Sequence, residues 1–222
     1  MPELPIARLE DAAGATTESW RTFRIMAELV NALDILNEVK PHCISIFGSA
    51  RSGPESAEYQ AAEKLAGMLV KAGFGVITGG GPGVMEAANK GATEAGGVSV
   101  GLHIRLPQEQ YCNKYVNVRC NFRYFFIRKF MFVKYAKAYV VMPGGMGTID
   151  ELSEAFVLAQ TGRARPFPIL LYNGDFWRGF MDWLSGPMTE KKFITREELD
   201  RQITVFDKPE DIVSHLCKII FL

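Results

Sequence analysis

Short runs of consecutive apolar residues alternate along the chain with longer segments whose apolar residues recur every three or four positions. Runs of the first kind predict buried β-strands, and segments of the second kind predict amphipathic helices. The predicted strands are Cys43–Phe47, Phe74–Thr78, Val98–Leu102, Tyr115–Val118, Ala138–Met142, Pro168–Tyr172 and Ile203–Phe206. The predicted helices are Trp20–Val39, Ser56–Lys71, Pro82–Ala95, Phe122–Tyr135, Gly147–Gln160, Asp175–Leu184 and Pro209–Ile219.

This alternation indicates an α/β fold with one doubly wound, Rossmann-like, mostly parallel sheet and helices on both faces. The helix Trp20–Val39 precedes the first strand and is an addition to that plan. We find no linker and no internal repeat, so residues 18–222 are predicted to form a single nucleotide-binding domain. Residues 1–17 have no periodicity and are expected to be loosely ordered.

Composition and charge narrow the possible partners. The 222 residues contain 25 Lys plus Arg and 25 Asp plus Glu, so the formal net charge is zero. A protein that binds nucleic acid or an anionic membrane usually has a basic excess, so neither partner is expected. No apolar run approaches the ~20 residues that span a bilayer, and the N-terminus is not a secretory signal. The four cysteines are scattered without a CxxC motif, which indicates reduced thiols in a cytoplasmic protein rather than a disulfide framework or a zinc site.

Ligands of parallel α/β sheets bind beyond the carboxyl ends of the strands, so the loops at those ends are the places to search. The loop after the first predicted strand reads Gly48-Ser49-Ala50-Arg51 and is either a tight turn or a close ligand contact. It does not contain GxGxxG, which argues against a nicotinamide oxidoreductase.

The loop after the second predicted strand is rich in glycine. It reads GGGPGVME from Gly79, and Pro82 suits the first turn of a helix whose free N–H groups can bind an anion. It lacks the Lys-Ser/Thr of a P-loop, so a nucleoside triphosphate with magnesium is not expected. The candidate binding residues of this loop are Gly80, Gly81, Gly83 and Glu86.

A second glycine-rich turn, PGGMGTIDE, follows the strand Ala138–Met142. Thr148 can cap the next helix or bind a phosphate oxygen. Glu151 lies one turn into that helix, where its carboxylate either points back to the anion site or forms a capping box with Thr148. Two glycine-rich turns that lead from a strand into a helix on one sheet favour a phosphate-bearing ligand.

The helix Phe122–Tyr135 carries Arg128 and Lys129 among aromatic residues. These cations either form structural salt bridges or contact a phosphate or sugar. The zero net charge argues against a nucleic-acid surface here.

The chain contains the segment GGGPGVMEAANKGA, the pair Arg128-Lys129 and the segment PGGMGTIDE. Together these motifs resemble the LOG family of phosphoribohydrolases, which release cytokinin or adenine bases from nucleoside 5′-monophosphates. The resemblance covers about Cys43 to Ile220, and the added helix is similar to longer bacterial-type members. Such proteins have often been labelled lysine decarboxylases, but no sequence context for pyridoxal phosphate supports that chemistry.

The resemblance implies that Arg128 and Glu151 are the catalytic pair, with no cofactor and no metal. It implies phosphate binding by four residues of the second turn, which are Gly144, Gly145, Gly147 and Thr148. It also implies that Lys129 and Glu109 line the sugar and base side.

Cleavage of an N-glycosidic bond places positive charge on the ribose, and Glu151 could stabilise that charge or activate water. Arg128 cannot serve as a proton donor, because its pKa exceeds about 12. A non-catalytic carrier of a nucleotide or pterin phosphate could use the same glycine-rich turns and remains the alternative. The extra helix, the aromatic helix and the apolar segment Ile219–Leu222 are consistent with the homo-oligomer that the family implies.

Overall fold

The computed structural model describes residues 18–105, 112–163 and 168–220. It contains one sheet of seven strands in the order β4-β3-β2-β1-β5-β6-β7, and every neighbouring pair is parallel. The strands are β1 Cys43–Phe47, β2 Gly75–Thr78, β3 Ser99–Ile104, β4 Val118–Phe122, β5 Ala136–Val141, β6 Ile169–Tyr172 and β7 Ile203–Phe206. The predicted α/β fold is confirmed, and the sheet is parallel throughout.

Helices cover both faces of this sheet. They are α1 Glu18–Asn37, α2 Ala57–Lys71, α3 Val84–Glu94, α4 Phe125–Tyr135, α5 Met146–Gln160, α6 Gly174–Trp183, α7 Arg196–Gln202 and α8 Pro209–Ile220. Buried residues of α1, α4, α5, α6 and α7 form the core on one face, and those of α2, α3 and α8 form the core on the other. The added N-terminal helix is confirmed and packs on β4 and α4.

The largest errors in the predicted boundaries lie around the fourth strand, and every other predicted boundary differs from the structure by at most two residues. The strand predicted at Tyr115–Val118 runs instead from Val118 to Phe122. The side chain of Asn117 accepts a hydrogen bond from the backbone N–H of Ser99 at 2.9 Å, which anchors the entrance to β4 beside β3. Phe122 therefore belongs to the strand, and the helix predicted from Phe122 begins at Phe125.

Two helical segments of the described residues were not predicted: the π-helical turn Leu184–Met188 after α6, and the helix α7. The segment of α7 is mostly charged, so it has no apolar periodicity to reveal a helix. A capping box starts it: the Thr195 side chain accepts from the Glu198 N–H at 3.2 Å, and Glu198 accepts from the Thr195 N–H at 2.7 Å.

Within the described ranges, no helix has both the length and the apolar character that crossing a membrane requires. The four cysteines are free thiols.

Candidate active site

The strand order reverses between β1 and β5, and the loops after these two strands meet at the carboxyl edge of the sheet. The N–H of Met142 donates to the carbonyl of Phe47 at 2.8 Å, and the N–H of Ser49 donates to the carbonyl of Pro143 at 3.0 Å. A cavity of about 700 Å³ opens at this junction. The candidate site therefore lies at the switch point, where doubly wound sheets bind ligands.

The turn after β5 brings the N-terminus of α5 to the cavity. Gly144 must be a glycine, because a Cβ there would overlap Oγ1 of Thr148. Gly145 and Gly147 line the cavity, and a Cβ on either would meet no atom within 4 Å. The helix begins at Met146 without a side-chain cap, so Thr148 lies inside the first turn and forms no capping box with Glu151. This turn presents a helix N-terminus to an open space, which suits a phosphate.

Arg128 of α4 and Glu151 of α5 line the same cavity. The Arg128 guanidinium carbon lies 5.4 Å from the centre of the Phe132 ring, and its NH2 nitrogen lies against Gly79. The Nε atom of Arg128 is buried and has no hydrogen-bond partner among the described residues. An Arg donor without a partner beside a cavity is suited to an oxygen-bearing ligand.

Glu151 is only 8% exposed, so its charge is largely withdrawn from water. Burial raises the pKa of Glu151 to about 7, although Arg128 and Lys129 both act to lower it. Burial also lowers the pKa of Arg128, and Glu151 offsets part of that effect. A carboxyl group of this pKa can exchange a proton at neutral pH, as a general acid or base requires.

Lys129 follows Arg128 in sequence but has different neighbours. Its Nζ lies 2.8 Å from Oδ2 of Asp150 and 3.2 Å from Oε2 of Glu154, both on α5. It is absent from the cavity lining, whereas Asp150 is part of it.

The glycine-rich turn after β2 lies next to the site and supports its walls. Gly83 has a positive φ of 70°, and a Cβ there would collide with the carbonyl of Ser49. The backbone N–H of Asn113 donates to Gly80 at 2.8 Å, and its side-chain amide donates to Gly81 at 3.0 Å. The Asn113 contacts fix the turn against the segment that precedes β4, and the hydrogen bond from the Val84 N–H to the Ser49 carbonyl at 2.9 Å fixes its end against the loop after β1.

The candidate residues of this turn are not among those that line the cavity. Gly80, Gly81 and Gly83 are buried, and Glu86 is half-buried on α3. Their proposed role in substrate binding stays a prediction. Glu109 lies outside the described residues.

The cavity lining also contains Gly48, Ser49, Ala50 and Arg51 of the loop after β1, together with Phe47, Met85, Phe125, Met146 and Asp150. The sequence selects the loop after β1 by its position at a strand end and leaves a tight turn and a ligand contact as alternatives; the structure places this loop in the cavity lining. The sequence did not identify Phe125 and Asp150 as cavity residues, because their orientation depends on how α4 and α5 pack. In the described part of the chain, no three His, Cys, Asp or Glu side chains form a group that could hold a metal ion.

A family model described as "Possible lysine decarboxylase" matches residues 85–216, more than half of the chain. Cytokinin riboside 5′-monophosphate phosphoribohydrolase LOG of Oryza sativa subsp. japonica is 27% identical over 151 residues, covering 66% of this chain and 62% of the rice protein. The chain belongs to this family, the LOG family.

One further relative and one solved structure can be compared with this LOG-family chain. An uncharacterized protein of Archaeoglobus fulgidus is 31% identical over 113 residues, which cover 50% of this chain and 72% of that protein. The solved structure of a molybdenum cofactor binding protein from Rippkaea orientalis has a TM-score of 0.60 at 21% identity, covering 82% of this chain and 98% of the other. That structural likeness shows the shared fold alone.

Proposed function

We propose that this LOG-family chain hydrolyses the N-glycosidic bond of adenosine 5′-monophosphate or of an N6-substituted analogue. The observation that carries the proposal is the meeting of Arg128 and Glu151 in one cavity beside the N-terminus of α5. The rice relative is named as a cytokinin riboside 5′-monophosphate phosphoribohydrolase, which supports the same reaction.

The 5′-phosphate binds at the turn after β5. Gly145 and Gly147 leave space there, and the N-terminal end of α5 attracts an anion through its N–H groups and its dipole. This binding energy is remote from the bond that breaks, so it can hold the ribose in a reactive position. A nucleoside without phosphate should therefore react more slowly as well as bind more weakly.

Glu151 acts at the anomeric carbon. The bond between C1′ and the base nitrogen breaks, the hydroxyl of a water molecule joins C1′, and the remaining water proton goes to the base. The Glu151 carboxylate stabilises positive charge on the ribose and first accepts the proton from water, which then passes on to the base. Its pKa of about 7 allows it to release the proton again at neutral pH. Arg128 stays protonated, binds the ribose and opposes the loss of charge on Glu151.

The base meets an apolar wall. Met85, Phe125 and Met146 line the cavity, and Phe125 and Met146 are also exposed at its surface. Flexible Met side chains adapt to apolar groups of different shape, so this wall can accept a substituent on the adenine N6.

The test is release of free base from adenosine 5′-monophosphate and from its N6-isopentenyl analogue, measured by chromatography. Glu151→Gln should lower the rate by about 10²- to 10⁴-fold, the usual contribution of a general acid or base. Glu94 is an exposed carboxylate on α3 outside the cavity, so Glu94→Gln is the matched control and should keep the wild-type rate.

Two results would contradict the proposal. One is equal base release by wild type and Glu151→Gln. The other is tight binding of adenosine 5′-monophosphate by the wild type with no release of base from either substrate, which would favour a non-catalytic carrier of a nucleotide or pterin phosphate.

A further inference from the structure

Lys129 connects the two helices that carry the catalytic pair. It belongs to α4, next to Arg128, and it binds Asp150 and Glu154, which lie on either side of Glu151 along α5. The Lys129 side chain is 16% exposed, whereas Glu154 and Asp150 are 32% and 62% exposed, so water screens the pair with Glu154 less than the pair with Asp150.

The structure provides an ion pair for comparison. Lys90 of α3 binds Glu63 of α2 at 2.9 Å, and the two side chains are 28% and 29% exposed. That pair also joins two helices, but neither residue lines the catalytic cavity. The distinctive property of Lys129 is therefore the position of its partners beside Glu151.

We propose that Lys129 is a positioning residue: by binding Asp150 and Glu154, it fixes α5 against α4 and sets the geometry between the Arg128 guanidinium and the Glu151 carboxylate. This inference rests on the proposed hydrolase function. Misplacing reacting groups by about 1 Å can lower a rate by about 100-fold, so a contact outside the cavity can matter for catalysis.

Lys129 also balances the charges around Glu151. The charged and titratable groups that act on Glu151 are Arg128 and Lys129 from α4, Tyr139 from β5, and Asp150 and Glu154 from α5. Without Lys129, the carboxylates of Asp150 and Glu154 would remain beside Glu151 with Arg128 as the opposing cation, which favours the protonated form of Glu151.

Lys129 itself stays cationic while Glu151 titrates. Burial acts to lower the pKa of Lys129, but the hydrogen bond to Asp150 and the nearby carboxylates of Glu151 and Glu154 raise it above its ordinary value. The substrate phosphate also titrates at about pH 6, but it is common to all variants, so a difference in profile between variants near neutral pH reports on Glu151.

The experiment compares Lys129→Met, Lys129→Arg and Lys90→Met with the wild type in pH profiles of kcat and KM for adenosine 5′-monophosphate. In Lys129→Met, we expect kcat to fall by about 10- to 100-fold with little change in KM, and the acidic limb of the profile to move to higher pH. Lys129→Arg keeps the charge and should keep the acidic limb of the wild type. Lys90→Met loses a similar ion pair and should leave the profile unchanged.

A charge-balanced variant separates position from charge. In Lys129→Met/Asp150→Asn/Glu154→Gln, the acidic limb should return toward that of the wild type, because the two uncompensated carboxylates are gone. The plateau value of kcat should remain low, because α4 and α5 are still not joined by these ion pairs.

Wild-type kcat and an unshifted profile in Lys129→Met would overturn the inference. A fall in activity that Lys90→Met matches would also overturn it, since that result would indicate a general loss of stability. If the wild type releases no base, the proposed function fails by itself. Carboxyl NMR titration of Glu151, assigned with Glu151→Gln, then decides the present inference, which requires a higher pKa in Lys129→Met.

Discussion

Two opposing effects act on the pKa of the Glu151 carboxyl group. Its burial favours the neutral acid, whereas Arg128 and Lys129 favour the carboxylate. Burial is the larger effect, and the result is a carboxyl group whose pKa of about 7 lies well above its ordinary value of 4.5. This environment costs folding free energy whenever the carboxyl is ionised.

The cost gives a stability prediction for Glu151→Gln. A raised pKa contributes stability below the unfolded value near 4.5, and that contribution is lost as the pH rises to about 7. Above pH 7, the Gln variant should be more stable than the wild type by up to about 3 kcal/mol. At pH 4 the two should be nearly equal. Urea unfolding at pH 4, 5, 6, 7 and 8 measures the difference, and a difference that does not vary with pH would refute this account.

At the scale of elements, the turn after β5 uses two glycines for different reasons. Gly144 allows the chain to pass close to Thr148, whereas Gly147 lies in α5 and leaves the cavity open. The first is a requirement of packing, and the second keeps space for a ligand.

The two glycines should therefore respond differently to alanine. Gly144→Ala should lose about 1–3 kcal/mol in the free energy of unfolding, because the new methyl group overlaps Thr148. Gly147→Ala should gain up to about 1 kcal/mol from helix propensity, but it should bind adenosine 5′-monophosphate more weakly. Urea unfolding measures the first quantity, and calorimetry in the Glu151→Gln background measures the second. Equal losses of stability in both variants would contradict the distinction.

The elements also show what the sequence could predict. The segment CISIF was predicted without error, because a strand buried on both faces is a continuous apolar run. Strand β4 lies at the edge of the sheet and alternates buried with exposed residues, so its limits were shifted. Of the predicted site residues after β5, Gly145, Gly147, Thr148 and Glu151 line the cavity because strand ends determine their position, whereas Gly144 is not in the lining. The pairing of Lys129 with α5 depends on how two helices pack, which no local pattern contains.

At the scale of the whole molecule, α4 has a large apolar surface that the described residues leave exposed. Phe126 and Phe130 are 57% and 50% exposed, and they line a groove of about 960 Å³ with Ile219 and Ile220. Phe125, on the same helix, lines the catalytic cavity. We propose that a second copy of the chain covers this surface, as expected for an exposed apolar patch of this kind.

Light scattering coupled to size-exclusion chromatography tests this oligomer. The wild type should elute as a dimer or larger assembly, and Phe126→Ser/Phe130→Ser should shift it toward the monomer. Phe193→Ser, which replaces a 68% exposed aromatic residue away from the groove, is the control and should keep the assembly. A monomeric wild type at all accessible concentrations would rule out this proposal.

The pairing of β1 with β5 has a consequence for how the protein acquires activity. These strands are neighbours in the sheet, yet β2, β3 and β4 lie between them in the chain. Contacts that close so long a stretch of chain form slowly during folding, because the entropy of loop closure must be overcome first. The catalytic cavity lies at this pair of strands. In a refolding experiment, hydrolysis should therefore return after helical structure has recovered, which makes activity a late marker of the native state.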